Sequence, residues 1–107
     1  MATAVARRGT LTANTVSYVT IEGDFDEVEV TNATGSAAIY YTVGNTEATT
    51  TDPTVAGTDN GIFQLPAAVA SRTHRRPAAE ARTIVKLISA GTPGYDVQGI
   101  DPKAPTS

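Results

Sequence analysis

Glu27-Val28-Glu29-Val30-Thr31-Asn32-Ala33-Thr34-Gly35 is the stretch that decides the fold class. Its first five residues alternate polar and apolar. Side chains on a strand point to opposite faces in turn, so Val28 and Val30 are set toward a core and Glu27, Glu29 and Thr31 toward water. The next four residues are turn formers, and Gly35 can take the positive φ that other residues resist. A second β-prone run follows at Ala38 to Val43, with Ile39, Tyr41 and Val43 on one face. Read together, the two runs predict a hairpin.

The same pattern extends outward in both directions. Upstream, Thr10 to Ile21 is rich in Thr, Val, Tyr and Ile and breaks at Glu22-Gly23-Asp24. Downstream, Ile62 to Leu65 is closed by Pro66, and Arg72 to Arg76 reads as a solvated strand. Thr83 to Ser89 is apolar except for Lys86, Gly91-Thr92-Pro93-Gly94 turns the chain, and Tyr95 to Ile100 forms a last strand. Only Pro77 to Arg82 is helix-like, and it is too short for a helix stable on its own. About seven short strands between frequent turn signals predict an all-β fold: one small antiparallel β-sandwich or barrel-like domain. The expected organisation is an N-terminal arm at 1–9, the domain at 10–100 and a Pro-containing tail at 101–107.

Composition narrows the function. The 107 residues are one domain's worth, with 40% hydrophobic and 18% charged residues and no Cys or Trp. Stability therefore has to come from the core or from partners, without disulfides. A formal charge of −3 argues against direct nucleic-acid binding. No apolar run approaches the ~20 residues that span a bilayer, and the N-terminus lacks the apolar region of a secretory signal. The expectation is assembly in a cytoplasm, away from membranes.

The candidates for chemistry are few. His74 is the one histidine, flanked by Arg72, Arg75 and Arg76, whose charge disfavours its protonation. It reads as a surface residue of a basic strand, and no base–nucleophile pair, phosphate loop or zinc set accompanies it. Hence no enzyme and no cofactor are expected. The acidic stretch Glu22 to Glu29 is the best metal candidate, but it lacks the ligand spacing of a calcium loop and reads as a solvated turn and strand face. The polar stretch Gly44 to Gly61 is long enough for a functional loop. The aromatics are assigned to packing. Asn32-Ala33-Thr34 matches a glycosylation sequon, which has meaning only in a secreted chain. Arg7, Arg8, Arg72, Arg75, Arg76 and Arg82 remain as the candidate partner-binding residues. Arginine pairs bidentately with carboxylates, so the set points to an acidic protein surface or to the acidic stretch of a sister subunit.

Three segments carry a resemblance. Ile84-Val85-Lys86-Leu87-Ile88-Ser89-Ala90-Gly91-Thr92-Pro93-Gly94-Tyr95-Asp96-Val97 is similar to the end of a group of small tailed-bacteriophage virion proteins. Val28 to Asn32 with Ala37 to Val43 resembles their middle, and Leu65-Pro66-Ala67 a step between strands. The resemblance spans residues 9 to 100 and rests on pattern, not on a catalytic signature. The basic segment Arg72 to Arg82 departs from it, where a shorter neutral link is expected. What the resemblance implies is a non-enzymatic capsid decoration or accessory protein, homo-oligomeric on the virion, that binds the major capsid protein or other virion proteins. A tail, head–tail connector or fibre-base protein is the alternative, and a glycan- or calcium-binding module a more distant one.

Overall fold

In the computed structural model, Glu27 to Asn32 is a strand whose even-numbered residues are buried and whose odd-numbered residues are half-buried, as the alternation demands. It is one of eight: β1 (Val5–Thr10), β2 (Ser17–Glu22), β3 (Glu27–Asn32), β4 (Ile39–Gly44), β5 (Phe63–Leu65), β6 (Ala70–Arg75), β7 (Arg82–Ile88) and β8 (Gly94–Ile100). The structure describes residues 5–22, 27–44, 50–55, 61–75 and 82–100, with backbone alone at 5–7, 22, 82 and 100.

The strands form two four-stranded antiparallel sheets, ordered β1-β8-β3-β6 (sheet A) and β2-β7-β4-β5 (sheet B). The pairing is nested: β1 with β8, β2 with β7, β3 with β6, β4 with β5. The chain is thus one long hairpin with its apex between β4 and β5, rolled so that successive strand pairs fall alternately in the two sheets. The β3–β8 and β4–β7 contacts close the roll. This is the double-sheet jelly roll.

The core lies between the sheets. Sheet A contributes Val28, Val30 and Val97, and sheet B contributes Val19, Ile21, Ile39, Tyr41, Leu65, Val85 and Leu87. Leu11, in the β1–β2 link, is 1% exposed and closes one end.

Three expectations change. β3 and β4 are not a hairpin, because they lie in opposite sheets. The Asn32–Gly35 turn is instead a crossing between sheets, with Gly35 at φ +71 as foreseen. The side chain of Asn32 makes the crossing. Fully buried, it donates from Nδ2 to the carbonyls of Ala37 and Pro66 (2.8 and 2.9 Å), while its Oδ1 accepts from Gly35 N–H at 3.0 Å. A turn so fastened aims the chain across the core instead of back along β3. Secondly, residues 5–9 of the expected arm belong to β1, an added strand whose Arg-Arg-Gly centre shows no apolar alternation. Thirdly, Arg82 opens β7 and is not the end of a helix, and residues 76–81 lie outside the described set.

Part of the outer face of sheet B is covered. Thr42 and Lys86 are register partners on that face, and residues 50–55 lie across them. Thr42 Oγ1 donates to the Thr51 carbonyl at 2.6 Å, and Lys86 Nζ donates to the Thr50 carbonyl and to Asp52 Oδ1, both at 2.8 Å. Part of the long polar stretch is therefore a structural cover. Gly44 makes room for it, since a Cβ there would strike the Thr50 side chain.

Candidate functional site: the basic edge strand

β6 forms because β3 offers it a ladder: Glu27 pairs with Arg75, Val28 with His74, Glu29 with Thr73 and Val30 with Arg72. Directly paired residues share a face. Arg72 and His74 thus stand on the face of Val30 and Val28, toward sheet B, and Thr73 and Arg75 on the outer face of sheet A. β6 also ends its sheet. Among the described residues its backbone is paired on one side only, and a strand at such an edge turns alternate N–H and C=O groups outward.

His74 does not sit on the surface as expected. Its ring is half-buried against Phe63 (centroids 4.4 Å apart) and edge-on to Tyr41 (5.4 Å). Tyr41 Oη and His74 Nε2 share a hydrogen bond of 2.5 Å that ties the middle of sheet B to the edge of sheet A. Burial first, and the Arg72 charge second, hold the imidazole below its ordinary pKa. Burial likewise pushes the Tyr41 phenol up to about 12, against a smaller lowering by Arg72. At neutral pH the phenol keeps its proton and the imidazole is uncharged. Tyr41 Oη–H then donates to Nε2 in the tautomer protonated at Nδ1. This group has no exposed nucleophile, and its geometry is that of a clamp between sheets.

Arg72 is exposed, with its guanidinium carbon 5.4 Å from the centroid of the Phe63 ring. A cation over an aromatic face is held without being consumed, so its donors stay available to a partner. Arg75 is exposed on the other face.

The six arginines do not form one patch. Arg7 and Arg8 lie on β1 at the opposite edge of sheet A, three inter-strand steps from β6, roughly 14 Å. The Nε of Arg8 bonds Asp96 Oδ2 at 3.3 Å. Arg82 is in β7 of sheet B, paired with Glu22. Arg76 lies outside the described residues. Among the described residues, Arg72 and Arg75 share one strand. Of the described part of the acidic stretch, Glu27 stands opposite Arg75 in the β3–β6 ladder, and Arg72 stands opposite Val30. Residues 23–26 of that stretch, Phe25 included, lie outside the described residues, and among those described no group of three or more acidic or His side chains gathers to hold a metal.

Two structural anchors escaped the sequence reading. Lys86 was legible as the one charge in an apolar strand, but its fixing of residues 50–55 was not. From sequence, Asn32 is a turn former and part of a sequon. With both Nδ2 hydrogens given to carbonyls in a fully buried site, it is no acceptor for a glycan in the folded protein.

No protein-family model matches the chain, and no curated protein matches it. Among solved structures, the crystal structure of Yersinia pseudotuberculosis-derived mitogen is similar, at 12% identity and a TM-score of 0.48, over 100% of this chain and 92% of that one. Likeness at that level carries no functional argument.

Proposed function

We propose that the protein is a non-enzymatic structural component of a tailed-bacteriophage particle, a capsid decoration protein that grips the major capsid protein through its basic edge strand. The observation that carries this reading is β6, which sets two exposed arginines, Arg72 and Arg75, on the open margin of a sheet in a chain of net charge −3. With those two charges set aside, the rest of the chain is acidic on balance, so this margin is one that attracts carboxylates. The sequence resemblance supplies the setting. Jelly rolls serve in viral capsids and in lectins alike, so the fold suits the setting by analogy and does not choose it. A stable contact of this kind buries roughly 1,200–2,000 Å² in total, a large share for so small a domain, and a small oligomer on the shell would supply it.

The test is co-sedimentation of purified protein with heads that lack it. Arg72→Glu combined with Arg75→Glu is expected to abolish sedimentation while the melting temperature stays within a few degrees. A folded double variant that binds heads as the parent does would refute the docking role of β6.

A further inference from the structure

We propose that β6 receives an acidic, extended segment of its partner as a fifth strand of sheet A. The proposal rests on the reading of β6 as the docking margin and adds the mode of recognition.

Four strands end a sheet, and they differ. β5 is three residues long and offers little ladder. β2 is a hydroxyl-rich edge, Ser-Tyr-Val-Thr-Ile-Glu, without positive charge. On β1 the guanidinium of Arg8 is already engaged by Asp96. β6 is six residues long, and Arg72 and Arg75 are both exposed on it. About half of its residues turn their backbone donors and acceptors away from β3. Edge strands carry charge to refuse unwanted pairing. Two copies joined through β6 would set four guanidinium groups on one ribbon, so the charge refuses a second copy. It does not refuse an acidic strand.

The chain's own ladder gives the register of a neighbouring strand. On its other side β6 already pairs with an acidic strand, and there Glu27 stands opposite Arg75. A new strand running antiparallel on the open side would likewise set each residue opposite one of β6, on the same face. A carboxylate opposite Arg75 lies on the outer face of sheet A. A second carboxylate, three residues later, lies opposite Arg72 on the inner face, where Phe63 holds the guanidinium in place. Between them, the residue opposite His74 lies on the inner face, beside the His74–Phe63 ring pair, and is best apolar. The occupant is thus an extended acidic segment with two carboxylates three residues apart and an apolar residue just after the first.

The probe is a synthetic peptide, acetyl-Thr-Glu-Val-Thr-Glu-Thr-Ala-amide, added to the full chain while amide exchange is followed by NMR. The expected result is slowed exchange at alternate amides of Ala70 to Arg75. N-methylating one alternate set of peptide amides should abolish binding, and methylating the other set should leave it intact, a signature that charge attraction alone cannot give. Lysines in place of the glutamates, or Arg72→Glu with Arg75→Glu in the protein, should weaken binding about tenfold or more. Several results would overturn the proposal: no binding at millimolar peptide, binding with β6 amides unchanged, equal tolerance of both methylated sets, or the same protection from an oligothymidylate. Its failure is separable from that of the virion reading. If the peptide adds to β6 but the protein is absent from particles, the virion reading alone falls. If the protein is in particles but its β6 ignores the peptide, strand addition alone falls.

Discussion

Replacing Asn32 by alanine removes the fastening of two sheet crossings at once. Its amide joins the carbonyl of Ala37, at the entry to β4, and that of Pro66, just after β5, while its Oδ1 holds Gly35 N–H. The residue is 0% exposed, so water cannot take over at its own position. A hydrogen bond of this kind contributes about 1 kcal/mol net, and a buried group left unpaired costs ~1–3 kcal/mol. The partner carbonyls are only partly buried, which favours the lower end for each. Three bonds then sum to about 3 kcal/mol, a large part of the ~5–15 kcal/mol that holds a domain of this size. At ~4–8 °C per kcal/mol the melting temperature should drop by about 12 °C or more. Asn32→Asp should be no better, since it keeps the acceptor for Gly35 but turns a carboxylate toward two carbonyl oxygens. Paired thermal and urea melts measure both variants. An Asn32→Ala protein within about 0.5 kcal/mol of the parent would refute the argument that this side chain fastens the crossings.

Two further predictions concern the other anchors. Lys86→Met should cost ~1.5–3 kcal/mol, the range for hydrogen bonds to a charged group, with amide exchange at Thr50 to Val55 accelerating more than in β7; unchanged exchange there would remove Lys86 as the anchor of the cover. His74 is the chain's one histidine, and its pKa is lowered on folding, so the unfolded chain takes up the proton first as pH falls. Stability should be full above pH ~6.5, decline as pH drops below that value and level off under the folded pKa. Chemical denaturation from pH 7.5 to 5.5 measures this slope, and His74→Gln should flatten it; a parent whose stability rises on acidification over that range contradicts the burial of a neutral imidazole.

How much of this was written plainly in the sequence depends on whether the signal was local. Val28 and Val30 announced β3 because alternation is a property of neighbours. Thr83 to Ser89 announced a strand by its β-prone apolar run, and in the fold both faces of that run are covered. In the structure those faces are the core and the cover laid down by residues 50–55. β1 was not legible, since Val5 to Thr10 becomes a strand through its ladder with β8, some ninety residues away in the chain. The choice between hairpin and crossing after Asn32 was hidden for a related reason. It turns on the Pro66 carbonyl, 34 residues away, reached by a side chain that locally resembles any turn former. Composition gave the basic cluster but not its division. Arg72 and Arg75 share one edge, Arg8 lies at the other, and only the strand order separates them. The His74–Tyr41 clamp joins residues 33 apart across two sheets and left no trace in the spacing of either.

The central claim is that this jelly roll is a component of the virion shell. The direct measurement is quantitative mass spectrometry on separated heads and tails of the particle to which this reading assigns the chain. The account predicts the protein in the head fraction, at copy numbers approaching those of the major capsid protein. Its presence in tails alone, at a few copies per particle, would contradict the shell role and with it the assignment of Arg72 and Arg75 to a capsid contact.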